Sequence, residues 1–316
     1  MDNLRKEGAT INSPLGVPTH LLQNLVPNLN RDFRILWTPE TAVPWRGFPI
    51  VSAPCSICST ATATHGTALA LGKYEARYLV CPKCGFVFVQ DPHWLQEAYR
   101  SAIAEEDLGS LWRAVRYSKA VKSLITFGGF DREGRFLDFG GGFGLFVRQM
   151  RDLGYDFRHH DAYCENLFAR SFTADPEKDG PFELVTAFEV FEHLVDPMTA
   201  IERRASLAPT IVFSTAIVPT PPPAIGDWWY YLPSSGQHIA FYSHRSLELI
   251  GKRLGLRSYS HGREIHMLSS KNLPESLFTL IANPRLAKWT DLFISRPSLL
   301  EKDFQRGLDR RRGEGC

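Results

Sequence analysis

The chain has 316 residues, enough for one large domain or two of ordinary size, and 44% of them are hydrophobic, so a full core can be buried. A formal net charge of +2 is too balanced for a dedicated nucleic-acid or anionic-membrane binder. The opening MDNLRKEGAT has no apolar run behind its charges, and the longest uncharged run, 205–226, is broken by Pro209, Pro219 and Pro221 to Pro223. Neither a secretory signal nor a membrane span is therefore expected, and a reducing cytoplasm is the expected compartment.

Residues 1–48 read as an irregular extension, because Pro14, Pro18, Pro27, Pro39 and Pro44 interrupt every candidate helix. Residues 49–91 hold four of the six cysteines, as Cys55-Ser-Ile-Cys58 and Cys81-Pro-Lys-Cys84 with 22 residues between the pairs. Each spacing lets a tight turn aim two sulfurs at one ion, and two such turns complete a tetrahedral thiolate cage. Gly85 follows the second pair, where the turn needs positive φ. This is the pattern of a small zinc-ribbon-like module with Cys55, Cys58, Cys81 and Cys84 as ligands of a structural Zn2+. Four thiolates leave no open position for catalysis. The competing reading, a pair of redox motifs, lacks the helix start that such motifs use. His65 and His93 read as packing residues, and Cys164 and Cys316 stand alone. The module is expected to cover one end of a substrate cleft.

Residues 92–130 read as a helical connector, with Trp94, Leu95, Ala98 and Tyr99 at near-helical spacing and Gly128-Gly129 as its stop. From 131 to 271 strands alternate with helices, which predicts an α/β domain with a Rossmann-like sheet. Its strands are 135–139, about 157–162, 182–188, 210–218, 257–260 and 264–270, with helices over 144–153 and 244–254. The segment between Cys164 and Pro181 is short for a helix plus a strand, so a third strand there is expected to be small or missing. His159 and His160 sit on a strand as packing or edge residues. Residues 272–316 read as a C-terminal helical tail. Its last 20 residues hold five basic and four acidic groups, so Arg310 to Arg312 read as a solvated end.

Asp138-Phe-Gly140-Gly141-Gly142-Phe-Gly144 leaves the first strand and opens a helix. Glycines there let backbone N–H groups approach a ligand closely. Asp161, 21 residues after Gly140 at the end of the second strand, can accept both hydroxyls of a ribose. Dinucleotides and S-adenosylmethionine (SAM) both suit this arrangement. Glycines at alternate positions after an acid, D-x-G-x-G-x-G, resemble the first motif of class I SAM-dependent methyltransferases. Two more stretches are similar to that family: FELVTAFEVFEH (182–193) followed by LVDP, and QHIAFYS (237–243) before a helix. The resemblance spans about 135–270. It implies a seven-stranded methyltransferase sheet, with Asp138, Gly140, Gly141, Gly142, Gly144, Asp161, Ala162, Phe188 and Glu189 lining the SAM pocket. The cysteine stretch with YLVCPKCGFVFV and DPHWLQEAY also resembles the N-terminal module of a group that includes deoxysugar C-methyltransferases. The chain is expected to lack the further C-terminal domain of those enzymes, which counts against C-methylation of a nucleotide sugar.

The resemblance makes His238 a candidate base or acceptor contact, although the family tyrosine three residues earlier is Ser235 here. A structural hydrogen bond is the competing role for His238. His193 either shapes the pocket or caps the following helix, and Glu192 can serve cofactor or chemistry. Asp227-Trp-Trp-Tyr-Tyr231 either stacks on a substrate ring or packs as a lid. The leading expectation is methyl transfer to a hydroxyl or activated carbon of a small molecule, a sugar or secondary metabolite. Two alternatives stay open: an RNA methyltransferase gripping nucleic acid through the cysteine module, and a non-catalytic SAM- or zinc-dependent interaction protein. The segment 55–84 has only Lys73, Arg77 and Lys83 as basic residues, which argues against the first.

Overall fold

The computed structural model describes residues 50–100, 108–262, 264–286 and 295–313. The N-terminal extension expected at 1–48 and Cys316 lie outside the described residues. In chain order the elements begin with strands β1 (Ile50–Pro54), β2 (Ala61–Ala70), β3 (Tyr74–Val80) and β4 (Val87–Gln90), then helices α1 (Leu95–Ala98) and α2 (Ser110–Phe127). They continue with β5 (Arg135–Phe139), α3 (Leu145–Asp152), β6 (Asp156–His160), α4 (Pro176–Asp179), β7 (Leu184–Phe188), α5 (Pro197–Leu207) and β8 (Thr210–Ser214). The last are β9 (Ala240–Phe241), α6 (His244–Arg253), β10 (Arg257–His261), β11 (Ile265–Ser269), α7 (Glu275–Ile281) and α8 (Leu300–Gly313).

Six strands form the larger sheet in the order β10-β11-β8-β7-β5-β6, with β6, β5, β7 and β8 parallel and β11 antiparallel to both neighbours. Burial follows position in that order. The inner strands β8 and β11 are buried along their whole length, whereas the edge strand β6 alternates. The seven strands expected from the family resemblance are therefore six among the described residues. Where a further strand would lie beside β6 there is a single parallel bridge, His159 to Thr173. The reason is chain length: the residues between β6 and β7 are used up by a turn at Asp161, a one-turn 3-10 helix and α4.

Alternate residues of one strand supply both faces of the sheet. Val212 of β8 joins a core with Val121 and Leu124 of α2, Val147 and Met150 of α3, and Phe278 of α7. The helix read as part of a connector is thus a layer of the main domain. Its register also differs from the expected continuous stretch, since α1 ends at Ala98 and α2 starts at Ser110. Ile211 and Phe213 face the other way, toward Ile201 of α5, Leu247 of α6, and Cys55, Cys81 and Phe86. The cysteine turns are part of that second core.

The smaller sheet, antiparallel in the order β1-β2-β3-β4-β9, is completed by a strand from the far end of the chain: Phe88 pairs with Ala240 and Val87 with Phe241. The cysteine module thus shares its sheet with a strand from beyond the expected boundary at 91. Ser243 joins the two parts. Its hydroxyl caps α6 by accepting from the Ser246 N–H at 3.0 Å, and donates to the Cys84 carbonyl at 2.5 Å.

The C-terminal helix is tied down by charge. Arg151, 1% exposed, donates to both oxygens of Asp303 on α8 at 2.7 and 2.8 Å and also pairs with Asp156. Removing one partner of a buried ion pair leaves an under-compensated charge, a cost of about 3 kcal/mol. Asp303→Ala is expected to lower the unfolding free energy by about that amount in urea titrations. A loss under about 0.5 kcal/mol, the range of ordinary surface substitutions, would contradict this role for the ion pair.

Candidate functional site

Four glycines follow β5, and they serve different ends. A side chain at Gly140 would meet Val190 at 2.6 Å, one at Gly141 would meet the Asp138 carboxylate at 2.8 Å, and one at Gly144 would meet Asn166 at 2.2 Å. Those three are glycine because the protein itself closes over them. At Gly142, with φ of +53°, nothing lies within 4 Å of an added Cβ. Its backbone turns an open face outward, as close approach of a ligand requires. The Gly142 N–H donates to Asp161 Oδ2 at 2.9 Å, and its carbonyl meets His159 Nε2 at 2.8 Å. His159, 1% exposed, braces the loop from below.

Asp161 is held by three backbone donors, since Oδ1 also accepts from the Tyr163 and Cys164 N–H groups at 2.7 and 2.8 Å. A carboxylate offers about four acceptor positions. Binding both hydroxyls of a ribose would therefore require exchange of one existing bond, with Gly142 nearest the open face. Ala162 beside it is exposed. Asp138 sits beneath the glycine loop, 3% exposed, accepting from Thr186 Oγ1 at 2.6 Å. Burial pushes its carboxyl up to about 7. Phe188 packs on Tyr117 and Phe146 with ring centroids 4.6 and 5.0 Å apart. Glu189 takes φ of +53°, its N–H donates to Ser214 Oγ at 2.8 Å, and its Oε1 accepts from that hydroxyl at 2.5 Å.

A second polar group lies at the same end of the sheet. Glu192 is fully buried, and its Oε1 accepts from Tyr230 OH at 2.7 Å. Burial first, and the nearby Glu189 second, push it up to about 7. One ligand atom each from Glu192, His193 and His238 lie within 4.8 Å of one another. The two imidazoles meet edge to face, centroids 5.1 Å apart. His193 Nδ1 bonds the Gln237 carbonyl at 3.0 Å and His238 Nδ1 the Tyr230 carbonyl at 2.8 Å. The structural hydrogen bond weighed for His238 is thus present, and it orients a ring that stays half-buried within the cluster. Tyr99 connects this cluster to the glycine loop, stacking on Tyr163 at 4.9 Å and lying 6.1 Å from the His193 ring.

Three contributors were given no functional role by the sequence. Tyr99 read only as part of the helical connector, and Tyr163 carries no motif beyond its place two residues after Asp161. Thr186 faces Asp138 only because β7 pairs in parallel with β5 in that register. The aromatic run is resolved in part: Tyr230 and Tyr231 are buried against Tyr78, Phe241 and His238, whereas Trp229 is 67% exposed. Ser235 closes a turn, with Oγ donating to the Leu232 carbonyl.

The four cysteines converge. Cys55 and Cys84 sulfurs are 3.6 Å apart and Cys58 and Cys81 sulfurs 3.4 Å, all four within 4.8 Å of one another. Disulfides would need about 2.05 Å. A tetrahedral zinc site with bonds of about 2.3 Å has sulfur–sulfur edges of about 3.8 Å, so the donor set fits that ion. Each turn is closed alike, with Ser59 N–H on the Cys55 carbonyl and Gly85 N–H on the Cys81 carbonyl. His65 turns away to Pro223 and Tyr231.

Comparison with known proteins identifies the central part of the chain. Residues 111–261, a little under half of the chain, match a family model described as a methyltransferase domain. No curated protein matches. Among solved structures, CalO1, a methyltransferase in calicheamicin biosynthesis in its SAH-bound form, is 15% identical with a TM-score of 0.38, over 57% of this chain and 60% of that one. Human N-acetylserotonin methyltransferase in complex with SAM is 14% identical with a TM-score of 0.36, over 57% and 66%. A Burkholderia thailandensis 1,6-didemethyltoxoflavin-N1-methyltransferase is 14% identical with a TM-score of 0.40, over 67% and 94%. The chain spans less than two thirds of the length of the first two. No described helix is long and apolar enough to cross a membrane.

Asp138 gives a pH signature. Its folded-state value near 7 lies above the ordinary 3.8, so between those values the folded protein holds a proton that the unfolded chain has released. The stability it contributes is complete below about pH 4 and is lost as pH rises through about 7. Asp138→Asn is expected to flatten the fall in melting temperature between pH 5 and 8, measured by calorimetry without cofactor. An unchanged slope would show that this carboxyl is not the titrating group.

Proposed function

We propose that this chain transfers the methyl group of SAM to a hydroxyl or activated carbon of a small molecule, and that its four cysteines hold a structural zinc ion. The observation that carries the reading is the open backbone face of Gly142 opposite the Asp161 carboxylate, inside a segment that matches a methyltransferase domain. The neighbouring glycines are closed by the protein's own side chains. Gly142, glycine by its positive φ, is the one of the four that leaves room for a ligand.

SAM supplies an activated methyl on a sulfonium, so positioning of the two reactants carries much of the catalysis. Asp161 and the Gly142 N–H bind the nucleoside at the end of β5. Asp138 and Glu189 give that pocket its negative character toward a cationic ligand. Glu192, His193 and His238 form the acceptor side, reached through Tyr99. Tyr230 holds Glu192, and the loop that carries Tyr230 packs on the smaller sheet. The thiolate site thereby acts at a distance, by fixing the sheet on which this loop rests. Its placement supports the expected cover over one end of the cleft. The basic residues of the cysteine module give little support to an RNA substrate, since Lys73 is paired with Glu97.

SAM is expected to raise the melting temperature of the purified protein. Gly142→Ala should abolish that shift while costing about 1 kcal/mol of stability, the price of positive φ without glycine. His238→Ala should keep the shift and lose turnover by about 10² to 10⁴-fold once an acceptor is found. Absence of any SAM-dependent shift in the parent protein would remove the reading. Metal analysis should give about one zinc per chain from the thiolate cage, and Cys81→Ser should release it and destabilise the smaller sheet. Metal-free protein with the parent's melting temperature would remove the structural zinc.

A further inference from the structure

The Glu192, His193 and His238 cluster holds more than a base needs. Glu192 has no exposed surface, one oxygen accepts from Tyr230, and the other, Oε2, has no hydrogen-bond partner. No lysine or arginine among the described residues pairs with it, and Glu189 places a second carboxylate nearby. A buried carboxylate with an unsatisfied oxygen is costly unless a cation completes it.

The histidines beside it are arranged in a particular way. In a base–orienter pair the carboxylate would hold Nδ1 of the histidine. Here the Nδ1 atoms are held by two backbone carbonyls, of Gln237 and Tyr230. A carbonyl accepts, so each Nδ1 carries a proton, and in the neutral ring Nε2 is then the atom that can coordinate. This is the arrangement that orients imidazoles as metal ligands. One atom from each of the three residues falls within 4.8 Å of the others, a span that a single ion can bridge with bonds of about 2.0 to 2.2 Å after small side-chain rotations.

We infer that Glu192, His193 and His238 bind a first-row divalent cation, at a site distinct from the four thiolates. Two imidazole nitrogens and one carboxylate oxygen leave coordination positions open, which is the character of a reactive site and not of a structural one. Resting on the methyltransferase reading, the open positions define the acceptor class as a molecule that offers a hydroxyl, or two adjacent hydroxyls, to the ion. Coordination acidifies such a hydroxyl. Its proton leaves to solvent, the oxygen's electron pair forms the bond to the methyl carbon, and the carbon–sulfur pair stays on sulfur as a neutral thioether.

The probe is Mn2+, which the hard oxygen and imidazole donors accept and four soft thiolates disfavour. Binding is followed by water-proton relaxation on the full chain with its cysteine site already filled with zinc. The parent is expected to take up one Mn2+ saturably. Glu192→Gln, nearly isosteric, and His238→Asn should each weaken uptake at least tenfold. Circular dichroism of both variants confirms folding, and the parent's own stoichiometry decides the matter if either variant fails to fold. No saturable uptake by the parent up to 1 mM, or uptake unchanged in folded variants, overturns the site. SAM binding measured by calorimetry on the same samples reports separately on the methyltransferase reading, because the glycine loop holds none of the three ligands.

Discussion

Ile239 is the residue on which both halves of the site depend. Its N–H donates to the Glu192 carbonyl and its carbonyl accepts from the Val89 N–H, each at 2.8 Å. One peptide segment thus connects the loop after β7 to β4 of the cysteine sheet. The next two residues, Ala240 and Phe241, continue the link as β9. His238 precedes this clamp and Ser243 follows it, so the placement of His238, the sheet closure and the α6 cap are set by six consecutive residues. A displacement of β4 would be passed to His238 by main-chain hydrogen bonds, with no flexible side chain between.

The glycine loop is organised by a different constraint. It is packed from beneath by Val190, His159 and Asn166, from other segments of the chain, and by Asp138 at the end of its own strand β5. Packing of this kind fixes the loop before a ligand arrives and lowers the entropy cost of binding. Two buried carboxyls, Asp138 and Glu192, are both held near 7 chiefly by desolvation. They are a stored electrostatic cost in the free protein that a cationic ligand on each side would offset, which is the usual compromise between stability and function.

Much of this was legible in the sequence. The strand read at 135–139 and the helix read from 244 fall where the sequence placed them, because both are decided by local residues. The four cysteines converge as their spacing implied. What could not be read was set by contacts between distant segments. The two-residue strand β9 is too short to leave a periodic signal, and it exists only because β4 offers an edge. The length of β8 was overestimated, since 215–218 is apolar yet leaves the sheet toward Tyr242 and Tyr230. Asp138 fits the family motif, but its burial beneath Gly141 depends on the Thr186 register across β5 and β7. The grouping of Glu192 with His193 and His238 depends on burial of Glu192, and a sequence does not report burial of a single charged residue in a loop.

The most direct test of the central claim is a crystal structure of the full chain grown with S-adenosylhomocysteine. The account predicts ribose density against Asp161, with the nucleoside running along the open face of Gly142 and the Gly142 to Asp161 hydrogen bond exchanged for one to the ligand. Density for the nucleoside elsewhere, or a glycine loop unchanged at saturating ligand, would contradict it.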